Sequence, residues 1–346
     1  MKIIMIGHGM VGHKFIESVL EHVGDDVEIT ILAEEPRLAY DRVHLTEYFS
    51  GKSAKDLTLC RADFADAYGI DLRLNTKAVA IDQSHKTVTT NHGDVLSFDK
   101  LILATGSYAF VPPISGNDRE NCFVYRTIED LDAIRAASLN AKSGVVIGGG
   151  LLGLEAAKAL RDLNLETHVV EFAPRLMAVQ IDDLGGKVLR AKIENLGVKV
   201  HTQKATSSIE EGATTKHVMK FGDGSELETD IILFSAGIRP RDELARQSGL
   251  ALGERGGIMI NDYCQTSNPD IYAIGECALW QNKIYGLVAP GYDMARIAAK
   301  HVMEQSSSEF AGADMSTKLK LMGVDVASVG DAHAMTPNAL SYFYAD

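Results

Sequence analysis

The chain has 346 residues, room for two or three domains at about 150 residues each. Apolar residues make up 46% and charged residues 23%, an ordinary globular balance that excludes wholesale disorder. With 34 Lys+Arg against 47 Asp+Glu the net charge is −13, which argues against a nucleic-acid footprint and against adsorption to an anionic membrane surface.

No apolar run approaches the roughly 20 residues of a transmembrane helix. The start, Met1 to Gly7, is too short an apolar stretch for a signal peptide. The four cysteines, Cys60, Cys122, Cys264 and Cys277, form no CxxC and no zinc spacing. Neither a disulfide framework nor a metal site is expected, and the chain reads as a cytoplasmic protein with reduced thiols.

Residues 3–6 are a continuous apolar run, the mark of a buried parallel strand, and lead into Gly7-His8-Gly9-Met10-Val11-Gly12. Phe15, Ile16, Val19 and Leu20 follow at helical spacing, and a second apolar run, 27–32, ends at Ala33-Glu34. Strand, glycine turn, helix, strand and acid make one βαβ unit. Short strands are expected at 72–74, 79–82, 87–90 and 95–98, then a buried strand, 101–103, ending at Ala104-Thr105-Gly106. Val111-Pro112-Pro113 suggests a crossing between domains.

The βαβ unit then returns. Residues 144–147 lead into Gly148-Gly149-Gly150-Leu151-Leu152-Gly153. Leu154, Ala157, Leu160 and Leu163 give one helical face, and His168-Val169-Val170 ends at Glu171. The two acids lie 22 and 18 residues beyond the last glycine of their motifs, near the roughly 20 of a dinucleotide fold. The motifs start 141 residues apart, a domain repeat. An apolar strand at 230–235 ends at Ala236-Gly237, and 271–274 runs into Gly275-Glu276. Residues 306–308 with 311–313 read as a linker, 319–329 as one further strand, and the end at 342–346 as a truncation.

The glycines have distinct physical tasks. Gly7 permits the tight turn, Gly9 lets backbone approach a pyrophosphate, and Gly12 lets helix and strand pack closely. The helix start presents unpaired N–H groups and partial positive charge to phosphate. Glu34 would accept hydrogen bonds from ribose hydroxyls. Gly148, Gly150, Gly153 and Glu171 repeat the set. Two dinucleotides in one chain point to electron transfer between a flavin and a nicotinamide. The glycines alone do not fix which site holds which; Glu276, after a buried strand, could bond the ribityl chain of FAD. A carboxylate at Glu171 would repel a 2′-phosphate and so favours NADH over NADPH, with Arg175 close enough to soften that preference.

Together these motifs resemble the glutathione-reductase-like two-dinucleotide flavoproteins over residues 1–305. The segments 34–45, 169–177 and 319–328 more closely resemble the FAD/NADH module of the bacterial NADH-dependent nitrite reductase large-subunit family. The resemblance implies an α/β fold of two Rossmann-like domains. It assigns residues 1–115 and 242–305 to FAD, 116–241 to NAD(P)H, and 306–346 to the start of a truncated C-terminal α+β domain. It places Gly7, Gly9, Met10, Gly12, Glu34, Arg42, Val79, Thr105, Gly106, Glu155, Gly275, Glu276 and Val288 around FAD. It places Gly148, Gly150, Leu151, Leu152, Gly153, Glu171, Arg175 and Gly237 around NADH.

In that family later portions carry iron–sulfur and sirohaem ligands. Those cysteines are absent here, so this chain is expected to carry only hydride transfer from NADH to FAD and onward release of electrons. Gly275-Glu276 replaces the usual Gly-Asp. Relatives pair Glu155 with a lysine where this chain has Glu47, and disulfide-reducing relatives place a redox cysteine where it has Val43 and His44. A thiol mechanism is therefore disfavoured, and Glu155 and His44 are the candidate catalytic groups. The expected partners are NADH and a downstream redox domain or small electron carrier, with no nucleic acid and no membrane, and a homodimer left open. Two alternatives stand beside this reading: a stand-alone NADH-dependent ferredoxin or rubredoxin reductase, and a non-catalytic redox-sensing flavoprotein.

Overall fold

The computed structural model describes residues 1–22, 26–305, 308–321, 323–333, 335–340 and 342. The chain forms two compact units. Unit 1 comprises Met1–Arg42, Ser53–Tyr108 and Ile238–Ala313; unit 2 comprises Val43–Lys52, Ala109–Gly237 and Asp314–Asp346.

Along the chain, β1 (Lys2–Ile6), α1 (Met10–Leu20) and β2 (Glu28–Leu32) form the first βαβ unit, followed by β3 (Asp71–Arg73) and β4 (Lys100–Leu103). Then come β5 (Cys122–Val124) and α2 (Ile128–Ser138). The second βαβ unit is β6 (Ser143–Ile147), α3 (Leu151–Asp162) and β7 (Glu166–Val170). It is followed by α4 (Asp183–Asn195), β8 (Lys199–His201), β9 (Ile231–Phe234), β10 (Ile271–Ala273) and α5 (Val288–Val302).

Unit 1 is built on a parallel sheet of order β10-β4-β1-β2-β3. Ile3, Ile4 and Met5 are buried because β1 is the central strand with both faces covered. A Cβ on Gly291 of α5 would stand 3.4 Å from the Gly275 Cα and press on Val11 of α1, so small residues set the close approach of α5 to the first glycine turn. Unit 1 also carries a three-stranded antiparallel sheet, Ala78–Asp82, Thr87–Thr90 and Val95–Ser97.

Unit 2 repeats the plan with a parallel sheet of order β8-β7-β6-β9-β5. It also carries a three-stranded antiparallel sheet, Thr206–Glu211, His217–Phe221 and Glu226–Thr229. In both units β1 or β6 has its sequential neighbour on one side and a later strand on the other. That reversal of strand order opens a crevice at the strand's carboxyl end, where the glycine turns lie.

The compact units divide at Tyr108/Ala109 and Gly237/Ile238, beside the expected 115/116 and 241/242, and residues 43–52, expected with the first domain, group with unit 2. There Phe49 stacks on Tyr125 with centroids 6.4 Å apart, Tyr48 bonds Asp132, and Arg135 donates to the Tyr48 carbonyl oxygen at 2.5 Å. The strand expected at 319–329 is a hairpin, Thr317–Leu321 with Val324–Ser328, turning at Gly323 with φ +80°. The hairpin groups with unit 2. Ser306 and Ser307 of the expected linker, Met322, and the chain end at 343–346 lie outside the described residues. Among the described residues no helix is long and apolar enough to cross a membrane.

Candidate dinucleotide sites

The two glycine turns have the same backbone construction. Gly7 has φ +101° and donates to the Leu32 carbonyl oxygen at 2.9 Å; Gly148 has φ +120° and donates to the Val170 carbonyl oxygen at 2.8 Å. A Cβ on Gly7 would overlap the Ala104 carbonyl oxygen, and one on Gly148 the Ser235 carbonyl oxygen. The third glycines are equally constrained: Cβ atoms on Gly12 and Gly153 would overlap the Gly7 and Gly148 carbonyl oxygens. The middle positions differ in kind. Around a Cβ on Gly9 or Gly150 there is no protein atom within 4 Å, which is the open approach a pyrophosphate needs.

The helix starts carry the same message. Five helices have eleven or more residues among those described. Two are capped by side chains: α2 has a capping box of Thr127 and Asp130, and the Asp182 carboxylate accepts the Gly185 N–H at the start of α4. The other three, α1, α3 and α5, have N-caps Gly9, Gly150 and Leu287, no side-chain cap and no acid in the first turn. These are the starts where Met10, Leu151, Leu152 and Val288 stand. N–H groups and a positive dipole end left without a side-chain cap are open to water or to an anionic ligand.

The two acids are held differently. Glu34 is paired with Lys77 Nζ at 3.1 Å and with Arg241 at 2.8 Å, and these cations together hold its carboxyl below the usual range against the opposing effect of burial. Glu171 turns back onto its own loop and accepts the Gly149 N–H at 2.6 Å and the Ala173 N–H at 2.7 Å. Among the described residues no cation lies within ion-pair distance of it. Arg175 is committed elsewhere, with Nε to the Ile181 carbonyl oxygen at 3.1 Å and Nη1 to Asp183 at 2.6 Å. It closes the loop after β7 and is not placed to soften the charge of Glu171.

Several remaining positions of unit 1 are tied together. Arg42 pairs with Glu35 and lies 4.8 Å over the Tyr40 ring, while Tyr40 itself donates to Glu35 at 2.8 Å. The Arg42 N–H meets the Met10 sulfur at 3.4 Å, which ties the Tyr40-Asp41-Arg42 segment to the start of α1. Burial opposes the Arg42 charge, but Tyr40, Glu35 and Glu276 hold it firmly positive. Glu276 accepts the Ser107 hydroxyl at 2.7 Å, just after Gly275 with φ +77°. The Thr105 hydroxyl donates to the Arg241 carbonyl oxygen at 2.7 Å, and Gly106 leaves open space at φ +69°. Val79 is exposed on its antiparallel strand.

In unit 2, burial raises the Glu155 carboxyl to about 7, with His44 acting in the opposite direction. The two candidate catalytic groups, Glu155 and His44, thus lie close enough to interact electrostatically. Glu47 is ion-paired with Lys52. Gly237, at φ +104°, accepts the Phe110 N–H at 2.9 Å. All four cysteines are free, and burial pushes every thiol up, Cys122 to about 11. A thiol so shifted carries little thiolate near neutrality, so none is poised for thiol chemistry. Among the described residues no group of three or more His, Cys, Asp or Glu could hold a metal ion.

Residues 1–304 match the model of the pyridine nucleotide-disulphide oxidoreductases. The chain belongs to that family. It is 55% identical, over its whole length, to the nitrite reductase (NADH) large subunit of Escherichia coli (strain K12), of which it covers 41%. It is 57% identical, over 98% of its length, to the nitrite reductase [NAD(P)H] large subunit of Klebsiella oxytoca, of which it covers 35%. The chain thus spans about two fifths or less of these relatives. A water-forming NADH oxidase from Lactobacillus brevis bound to NADH shares the fold at a TM-score of 0.88 and 25% identity, over 95% of this chain and 75% of that one.

Within this oxidoreductase family the double glycine turn is the frame, and the sequence missed what surrounds it. Lys77 and Arg241 on Glu34 carry no local signal, Arg241 being 207 residues away. Glu35 could have been found: it stands five residues before Tyr40 and seven before Arg42, in one loop.

Proposed function

We propose that this chain is the electron-entry module of a nitrite reductase of the NADH-dependent type, with FAD in unit 1 and NADH in unit 2. The observation that carries the reading is the sorting of helix starts: α1, α3 and α5 alone among the five long described helices lack a side-chain cap, and all three stand where a dinucleotide is expected. The open space at Gly9 and Gly150 fits a diphosphate at both turns.

Bound FAD would supply what no side chain here can, acceptance of a hydride and release of electrons one at a time. The chain's own groups bind and orient. The N–H groups at the start of α1 and the Arg42 guanidinium, held by Glu35, favour a diphosphate. Glu276, with Ser107 beside it, accepts from a ribityl hydroxyl. Glu171 offers its carboxylate to a ribose diol and, with no cation at hand, disfavours a 2′-phosphate. Glu155, near 7, can hold or release a proton at its carboxylate in the neutral range. Val79, Thr105, Gly106 and Val288 complete the FAD side, and Leu151, Leu152 and Gly237 the NADH side. Downstream, the acceptor is a redox centre in a longer polypeptide or a small carrier.

The test is a visible spectrum of the purified chain before and after anaerobic NADH. A yellow protein bleached by NADH, and more weakly by NADPH, is the expected result. Gly9→Val should yield flavin-free protein; a normally yellow variant would refute the unit 1 assignment. Rapid reduction of a ferredoxin or rubredoxin would favour the stand-alone reductase, and negligible turnover with every acceptor the sensing role.

A further inference from the structure

Phe172 exposes 78% of its surface, although it directly follows Glu171 at the carboxyl end of β7. Single exposed apolar residues are common on protein surfaces. This one differs in its mount. The Glu171 N–H donates to the His201 carbonyl oxygen at 2.8 Å, and the Lys204 N–H to the Glu171 carbonyl oxygen at 3.0 Å. The Gln203 N–H donates to the Ala173 carbonyl oxygen at 3.1 Å. The Glu171 carboxylate also binds the Ala173 N–H. The backbone on both sides of the ring is therefore fixed, and an aromatic face is offered to solvent with little backbone freedom left to lose on binding.

We propose that Phe172 is the stacking platform for the adenine ring of a dinucleotide held in unit 2. The proposal rests on the reading that NADH binds there. In adenosine the base is bonded to the carbon next to the one bearing the 2′-hydroxyl. A ribose held by Glu171 therefore brings its adenine within reach of the adjacent residue. Every purine has a π-face, so a phenyl ring can bind it without a hydrogen-bond pattern. Phe172 would then set affinity through the adenine end and leave the reacting end of the cofactor untouched.

The test uses the full chain and ADP-ribose, which carries the adenine and no nicotinamide. By calorimetry, Phe172→Ala should weaken ADP-ribose binding by roughly 5- to 150-fold, the range that loss of one base–aromatic stack implies. Phe172→Trp should restore it. With NADH, the alanine variant should raise KM and leave kcat unchanged. With reduced nicotinamide mononucleotide, which lacks adenine, its kcat/KM should match that of the parent. Equal ADP-ribose affinity in parent and Phe172→Ala would overturn the platform while leaving NADH binding intact. A loss of the same size with the mononucleotide would also overturn it, by showing a general distortion. If the parent binds no ADP-ribose, the underlying NADH reading falls as well.

Discussion

The two glycine turns share a backbone and differ in how they use the residue after the first glycine and the acid. In unit 2 that residue is Gly149, and a Cβ there would lie 2.6 Å from Leu176 and 3.1 Å from the Glu171 side chain. The absent side chain lets Glu171 fold onto the loop and take its N–H. In unit 1 that residue is His8, buried and edge-on to His13 at 5.5 Å, and Glu34 turns instead to Lys77 and Arg241. One acid therefore keeps an uncompensated charge and the other is neutralised by two cations. The same motif can thus present a ribose with either a charged or a compensated carboxylate, which bears directly on whether a 2′-phosphate is rejected.

The shared backbone makes the largest effects. Gly153→Val would drive a side chain into the Gly148 carbonyl oxygen, and backbone cannot yield as a flexible side chain can. A stability loss of about 3 kcal/mol is expected from such overpacking. NADH should no longer bleach the flavin, while the yellow colour of the purified protein is retained. Gly12→Val should do the reverse and give protein without flavin. If both variants lose the same cofactor, the assignment of one dinucleotide to each unit is wrong.

Glu171 gives the next effect. Glu171→Ala removes a charged acceptor and should raise the KM for NADH about tenfold, roughly 1.4 kcal/mol, with less change for NADPH. Gly149→Ala should move in the same direction, because its methyl group crowds the carboxylate. Steady-state kinetics with both nucleotides decides this; a parent chain that prefers NADPH would contradict the charge argument outright.

These differences also show what a sequence exposes. Both βαβ units were legible because each is local: an apolar strand, a glycine turn, an apolar helical face and an acid within about 30 residues. The partners of Glu34 were not, since Arg241 reaches it from 207 residues away. The excursion of 43–52 into unit 2 has no compositional mark, because Tyr48 and Phe49 look like any aromatics until Arg135 is seen 4.2 Å from the Tyr48 ring. The hairpin near the end was read as one strand because its apolar pattern runs on through the turn at Gly323. Arg175 looked available because spacing places it near Glu171 but cannot show Asp183 taking its charge.

His8 makes unit 1 sensitive to acid. Burial, and then the neighbouring charge of His13, lower its imidazole from 6.5 to about 4. His13 is lowered too, mainly by burial, with Glu17 and Lys14 acting on it in opposite senses. The unfolded chain takes up the His8 proton near 6.5 and the folded chain only near 4, so stability is lost as pH falls through that window. At about 1.4 kcal/mol per unit, the loss reaches roughly 3 kcal/mol at its lower end. The melting temperature should therefore fall less steeply between pH 7 and 4.5 in His8→Asn than in the parent. Parallel slopes would show that His8 is not the titrating group.

The smallest effect tests the sorting of helix starts from its other side. Thr127 caps α2 by accepting the Asp130 N–H at 3.2 Å, while the Asp130 carboxylate takes the Thr127 N–H at 2.8 Å. Thr127→Ala should cost about 1 kcal/mol of stability, visible as a lower urea midpoint. It should leave flavin content and the KM for NADH unchanged, because this helix start is occupied by its own acceptor and carries Glu129 and Asp130 in its first turn, charges that disfavour a phosphate. A shift in either cofactor parameter would mean that capped and uncapped starts are not functionally distinct. The case for two dinucleotides would then have to rest on the glycine turns alone.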